Sequence, residues 1–423
     1  MHSGDITLEN ISKIEGHANL NIKIRNKKVE TVKLQISESK RYFQDIVVGK
    51  SFMIAPSILS RICGTCSVAH LLTAIEAVER AAHFKASEQT IRMRKLLQNA
   101  MQIRDHALHL YFFSLPDYLG VESALDFKGK YHKHLHNALD LKKAGNDLCT
   151  LIGGGSVHPA FVSVGGFLRF PEDKKVKEML IYLKQIRPVA VETINLFASY
   201  KEPFERPTCF VGMVNEDYNF LDGEIRDTCG MCVPETTYGS HFRKFGVSYS
   251  TANGFKHNDR EYMVGALARI NLNMKNLHKK TQKDSTNALK LFPSISPFRN
   301  NLAQAIEILH CIDYSIDLLN AGFVNESIPK LEIKDEVGYG VTEAPRGTLY
   351  HEMHFDNNGN VTKEIVVIPT AQNVFNIEQD IRQLIPTILH KKKKEINLEL
   401  EKLIRAYDPC MSCATHFLKV KWS

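Results

Sequence analysis

Arg405-Ala406-Tyr407-Asp408-Pro409-Cys410-Met411-Ser412-Cys413-Ala414-Thr415-His416 places two thiols and an imidazole in one short strip near the C-terminus. A matching half lies far upstream, Arg61-Ile62-Cys63-Gly64-Thr65-Cys66-Ser67-Val68-Ala69-His70. Two Cys-x-x-Cys pairs at opposite ends of a 423-residue chain build a four-thiolate site only if the fold brings the ends together. The strip therefore constrains the topology of everything between.

Working outward, residues 5–37 alternate apolar and polar in strand fashion, with a turn at Asn26-Lys27-Lys28. Ser67 to Phe84 carries Val68, Leu71, Leu72, Ile75 and Val78 on one helical stripe. Cys63 and Cys66 stand at the start of that helix, where free N–H groups and the dipole favour thiolate. His70 follows one turn beyond Cys66, on the same side. Helices are expected at about 88–114, 137–152, 174–200, 261–280, 301–319 and 377–405. The second helix carries Arg104-Asp105-His106 in an otherwise apolar run, which is costly to bury unless paired. Residues 201–258 read as irregular, and 347–355 with 361–368 read as a hairpin around Asp356-Asn357-Asn358-Gly359-Asn360. The expected architecture is mainly α (α+β). A long-helix core forms one domain over 1–423, with small antiparallel β additions near the N-terminus and around 347–368.

Hydrophobic content of 43% and charged content of 24% are those of a soluble globular protein. The net charge of +7 carries no nucleic-acid reading, because no basic block is interleaved with aromatics. Lys391 to Lys394 reads as a solvated helix face. No signal peptide and no membrane-length apolar run are read, and the nine clustered cysteines fit a reducing compartment. A cytoplasmic protein is expected.

Four thiolates suit zinc, an iron–sulfur cluster or a soft-ligand transition metal such as nickel. Structural zinc sites usually keep their pairs within a few tens of residues, which disfavours zinc here. Thr342-Glu343-Ala344-Pro345-Arg346-Gly347 holds an arginine between proline and glycine; alone, it is an ordinary surface turn. Cys229 and Cys232 lie in the irregular stretch and read as ordinary thiols, and His132, His134 and His136 as surface histidines.

Taken together, these segments resemble the large, catalytic subunit of nickel–iron hydrogenases. The matching residues are Ile14-Glu15-Gly16-His17, both cysteine motifs, Asp105-His106 with His109, and Gly153-Gly154 with His158-Pro159 and Gly165-Gly166-Phe167. They continue through Ala344-Pro345-Arg346-Gly347 and Pro369-Thr370-Ala371-Gln372-Asn373, covering residues 11 to 416 in family order. The wording looks most like the soluble, cofactor-coupled, cytoplasmic members. The resemblance implies that Cys63, Cys66, Cys410 and Cys413 hold nickel. Cys66 and Cys413 would bridge to an iron carrying carbon monoxide and cyanide. Arg346 would sit over the open coordination site, held by Asp105 and Asp408, and Glu15 would relay protons from a terminal cysteine. Pro369 and Thr370 match the segment that bonds an iron cyanide, and His70 would orient a bridging thiolate.

The same resemblance implies a magnesium-type ion on His416, the Val366 carbonyl and a carboxylate. Here the carboxylate position is Gln44, so the site loses a charge. Lys13 and Gly155 stand where arginine is usual. The implied reaction is reversible, heterolytic cleavage of molecular hydrogen. Electrons would pass to an iron–sulfur small subunit, then to flavin and iron–sulfur acceptor subunits. Two other readings are a slow hydrogen-sensing relative and a non-catalytic respiratory-complex homologue; the latter lacks the full cysteine set. Family precursors often lose a C-terminal extension after metal loading. The short tail Phe417 to Ser423 is expected to be retained, and the intact mass of the nickel-loaded subunit checks this: a mass ending at His416 contradicts it.

Overall fold

A computed structural model of the chain describes residues 4–26, 28–39 and 42–415. His416, the tail beyond it, Lys27, Lys40 and Arg41 lie outside the described residues. The core is built by helices α1 (Ser67–Ala81), α2 (Glu88–Leu108), α3 (His132–Gly153), α4 (Asp173–Ser199), α5 (Ala266–Asn273), α6 (Arg299–Asn320), α7 (Pro369–Ile388) and α8 (Lys393–Ala406). Three antiparallel strands open the chain: β1 (Gly4–Leu8), β2 (Ala18–Arg25) and β3 (Lys28–Ile36), in order β1-β2-β3. Their inward faces bury Leu20, Ile22, Ile24, Leu34 and Ile36, as the alternation requires. This sheet rests on α7, while α2 packs between α3 and α6.

The segment 201–258 is not irregular. It contributes β4 (Cys209–Val214), β5 (Glu224–Asp227) and β6 (Cys232–Pro234), which join β7 (Tyr262–Met263) in the order β7-β4-β5-β6. Phe242–Gly246 and Asn253–His257 pair as a further hairpin. These strands are short and interrupted by glycine and proline, so no alternating run is long enough to read. The helix expected at 261–280 is likewise corrected: β7 occupies its start, and α5 begins only after Gly265. The helix expected at 377–405 is two helices. The first begins at Pro369, suited to N1 by its fixed φ. The break falls at 389–392, and Glu395 Oε2 accepts the Lys392 N–H at 2.9 Å to restart the chain as α8. The lysine run is thus at a helix restart rather than on a continuous face.

The hairpin near residue 350 is also incomplete. β8 (Val337–Ala344), β9 (Gly347–Phe355) and β10 (Val361–Val367) form a three-stranded sheet in the order β8-β9-β10. Gly338 and Gly340, poor strand formers, hide β8 in the sequence. Packing against α1 explains them: a Cβ at Gly340 would lie 1.9 Å from the Thr73 carbonyl oxygen. The sheet can approach the helix only with glycine there.

Along α6, burial of polar groups is matched by fixed partners. His310 Nε2 donates to the Tyr218 carbonyl at 3.0 Å, and Nδ1 accepts the His278 N–H at 3.0 Å. That pairing needs a neutral ring, and burial pushes its pKa down to about 4. The folded value lies below the ordinary value near 6.5, so this ring stabilises the fold above that pH. Its contribution is lost as pH falls from about 6.5 towards 4. Stability at pH 5 should fall below that at pH 7.5, with on the order of 1–2 kcal/mol from this ring. Denaturation midpoints at the two pH values check this, and His310→Gln should shrink the drop. An unchanged drop in the variant contradicts it.

Candidate metal centre

Cys66 is the N-cap residue of α1, and Cys63 precedes it in extended backbone. The second pair leaves the end of α8 through Asp408, whose φ of 50° turns the chain back into the core. The N-terminal segment captures this turn. Glu15 and Cys410 form a parallel bridge, and the Met411 N–H donates to the Glu15 carbonyl at 2.8 Å. Gly16 permits that approach: at φ 84°, an added Cβ would stand 2.9 Å from Met411 Cβ. The two chain ends are thereby joined at the site.

The four sulfurs lie within 4.8 Å of one another. They are 3%, 4%, 1% and 2% exposed in chain order. Cys63 Sγ is 3.5 Å from Cys410 Sγ, which is 2.9 Å from Cys413 Sγ. Hydrogen bonds from Cys410, Cys413 and Cys66 hold the Cys63 thiol well below its ordinary pKa, whereas burial pushes Cys410 and Cys413 well up. Four sulfur donors with a soft-metal preference fit nickel, and a sulfur shared between two metals fits an adjoining iron.

Arg346 follows β8 in the turn to β9. Its Nε and Nη2 donate to Asp408 Oδ1 at 3.1 and 2.9 Å, and Nη1 reaches Cys66 Sγ at 3.4 Å. Burial opposes its charge, but Asp408 and the Cys66 and Cys410 sulfurs outweigh that and hold its pKa well above the ordinary value. Gln304 of α6 donates to Asp408 Oδ2 at 3.0 Å, completing the carboxylate. Asp105 departs from expectation: its Oδ1 accepts Arg104 Nε at 2.9 Å, and Oδ2 is buried without a hydrogen-bond partner. Arg104 is adjacent in sequence and also donates to the Thr65 carbonyl at 2.5 Å, so Asp105 supports the first cysteine loop, while its charge also acts on Arg346 without a direct hydrogen bond.

Glu15 Oε2 lies 3.0 Å from Cys410 Sγ and accepts the Ser412 N–H at 3.1 Å. Thr370 Oγ1 accepts the Cys410 N–H at 2.9 Å. A small cavity of about 10 Å³ adjoins the sulfurs, lined by His70, Arg346, Leu349, Ile368, Pro369 and Thr370 among others. A larger groove along Lys143, Phe161 and Tyr182 lies apart from all four thiols. From the cavity, His70 Nδ1 meets His351 Nε2 at 3.1 Å, and His351 Nδ1 meets Glu364 Oε1 at 2.5 Å. Burial pushes the His351 pKa down to about 3 and the Glu364 carboxyl well up, so this is a neutral hydrogen bond rather than an ion pair. Gln44 Nε2 donates to the Glu364 carbonyl at 3.1 Å, bringing it to β10, where Val366 is buried.

Several supporting residues carry no local motif. Arg269 of α5 is buried between Glu307 and Glu343, with contacts of 2.6, 2.7 and 2.7 Å. It also donates to the Ala344 and Pro345 carbonyls at 3.0 and 3.2 Å, fixing the turn that presents Arg346. His106 meets Glu307 Oε2 at 2.8 Å. After α2, a π-helical turn over His109–Ser114 aims His109 at the Arg405 carbonyl, 2.7 Å away. The available signals were a Glu and a Gln inside the apolar run of α6.

Residues 41–138 and 232–416 match the family model described as nickel-dependent hydrogenase. The chain is 33% identical to the alpha subunit of sulfhydrogenase 1 of Pyrococcus furiosus, over 98% of both chains. It is 28% identical to one of the subunits of the F420-non-reducing hydrogenase of Methanothermobacter thermautotrophicus, over 97% of this chain and 94% of the relative. Its fold matches a crystal structure of an NAD+-reducing [NiFe]-hydrogenase in the H2-reduced state. The TM-score is 0.88 at 22% identity, covering 98% of this chain and all of that one.

Replacing Arg269 by Met leaves two buried carboxylates facing each other. The expected cost is about 3–5 kcal/mol. Thermal unfolding of the purified variant checks it; a melting temperature within a degree or two of the parent's contradicts it.

Proposed function

The chain belongs to the nickel-dependent hydrogenase family, and we propose that its four-thiol centre holds nickel and iron for the reversible splitting of molecular hydrogen. It is the catalytic subunit of an oxidoreductase of that family. The observation that carries the site assignment is the meeting of four buried sulfurs with a buried guanidinium 3.4 Å from one of them. Cys63, Cys66, Cys410 and Cys413 would hold nickel, and Cys66 and Cys413 would also hold an iron bearing carbon monoxide and cyanide. When bound, the metals would supply the soft Lewis-acid chemistry for heterolytic cleavage of hydrogen.

The chain's own groups complete the chemistry. Leu349, Ile368 and Ala344 wall the cavity with apolar surface and exclude bulk water. Arg346, fixed by Asp408, presents a permanent positive charge beside the sulfurs without reorganising. Glu15 Oε2 takes a proton from Cys410 Sγ across 3.0 Å. His70, joined to His351 and Glu364, fixes the wall beside Cys66. Thr370 anchors the Cys410 backbone beside Pro369. Asp105, through Arg104, holds the Thr65 carbonyl and so the first cysteine loop.

A third, magnesium-type ion would be held by Gln44, the Val366 carbonyl and His416, with Gln44 seated against β10. The chain acts as one domain. An iron–sulfur small subunit takes up the electrons. Flavin and iron–sulfur acceptor subunits beyond it are supported by likeness to relatives named as the alpha subunit of a sulfhydrogenase and the beta subunit of an NAD-reducing hydrogenase. No helix among the described residues is long and apolar enough to cross a membrane, in keeping with a cytoplasmic complex.

The purified complex should contain nickel and should reduce a dye in a hydrogen-dependent manner; lack of nickel overturns the assignment. Arg346→Lys should keep its nickel but lose roughly 100-fold or more in kcat, since a point charge cannot replace the planar fork. Parent-like turnover in that variant would remove Arg346 from the mechanism. A hydrogen sensor would show nickel with little turnover in the parent itself.

A further inference from the structure

Away from the four-thiol centre, a second sulfur cluster forms where β4, β5 and the β5–β6 turn meet. Cys209 opens β4, Asp227 closes β5, and Cys229 lies in the turn that follows. The strands are in register, with Val211 opposite Asp227. The turn is pinned as well: the Thr228 N–H donates to the Phe210 carbonyl at 3.0 Å, and the Phe210 N–H donates to Thr228 Oγ1 at 3.0 Å. As a result, one donor atom from each of Cys209, Asp227 and Cys229 falls within 4.8 Å of the others.

The carboxylate of Asp227 is divided in its roles. Oδ1 accepts the Cys229 and Met231 N–H groups at 2.8 and 2.6 Å. Oδ2 is buried without a hydrogen-bond partner, on a residue only 8% exposed. Its nearest polar neighbour on the other side is His257 Nε2 at 3.2 Å. That histidine's Nδ1 lies 3.1 Å from the His241 carbonyl, which can only accept, so Nδ1 bears the proton. Asn258 Nδ2 lies 3.2 Å from Nε2 of the same ring. Asp227 Oδ2, buried and without a hydrogen bond, stands in one group with two thiols, a donor set that a cation would complete.

We propose that Cys209, Asp227 and Cys229 ligate a second metal ion, a single divalent cation of the zinc type. Two sulfurs and one carboxylate oxygen are an established donor class for zinc, and the exposed side at Cys229 leaves the fourth position to water. On binding, the Cys209 and Cys229 thiols release their protons to solvent. The ion with two thiolates and one carboxylate then carries a net charge of −1. Oδ2 of Asp227 gains its missing partner, and His257 remains beside it as a neighbour rather than a ligand. The site would clasp β4 to the β5–β6 turn. Cys232, the sequence partner of Cys229, is not in the group: its Sγ points to Glu224 Oε2 at 3.4 Å. The pair that matters is therefore Cys209 with Cys229, not the Cys-x-x-Cys spacing.

The test uses the intact complex purified under reducing conditions and dialysed against zinc alone. Elemental analysis should give one zinc per chain beyond nickel and iron, lost in Cys209→Ser and Cys229→Ser and kept in Cys232→Ser. Nickel content and hydrogen-dependent dye reduction should be unchanged in these variants, which separates this site from the catalytic one. In the parent complex, which does not depend on a variant folding, zinc should slow alkylation of Cys229 by roughly tenfold or more, and a chelator should restore it. Zinc absent from the dialysed parent, unprotected Cys229, a Cys209–Cys229 disulfide in the reduced complex, or loss of zinc from Cys232→Ser each overturns the ligand set.

Discussion

Four sulfurs packed within 4.8 Å and almost fully out of water cannot all ionise beside one another unless a cation joins them. The rest of the interior is arranged around that constraint. Arg346 brings positive charge to the cluster, and its burial is offset chiefly by Asp408, with the Cys66 and Cys410 sulfurs and Asp105 adding to it. Asp408 in turn needs Gln304, and the turn bearing Arg346 needs Arg269, which needs Glu307 and Glu343. Each buried charge calls for the next, and the series ends in helices α5 and α6, far along the chain from either cysteine pair. Removing a partner anywhere along it leaves a charge in a medium that cannot solvate it.

Much of this was legible in the residues. The cysteine motifs stand in short segments whose local chemistry is unusual, whereas Arg346, Glu15 and Asp408 were legible only through the resemblance; the structure brings all of them to one place. The helices at 67–84, 88–114, 174–200 and 301–319 were legible because their apolar stripes are long and regular. What escaped was set by contacts distant in sequence. The glycines of β8 exist to admit α1, so they weaken the very pattern that would reveal the strand. Arg269 finds Glu307 and Glu343 only after folding, 38 and 74 residues on. Asp105 turns to its own neighbour because Arg104 is already needed at the cysteine loop.

The sheet at the N-terminus illustrates how peripheral elements serve the centre. It contributes few groups to the site, yet the connection between β1 and β2 carries Glu15 and Gly16. The sheet rests on α7, whose first turn carries Pro369 and Thr370. Three parts of the chain are thus registered against one another by packing that is apolar and ordinary. The polar groups inherit their distances from it.

The bond between Glu15 and the Cys410 strip also sets a clock. Cys63 and Cys410 are separated by 347 residues. At a synthesis rate of about 5–20 residues per second, the first thiol pair leaves the ribosome roughly 17–70 s before the second. Through that interval Cys63 and Cys66 are half of a binding site with no lid, open to any soft ion in the cell. The centre closes only when the last strip of the chain arrives beneath the first strands.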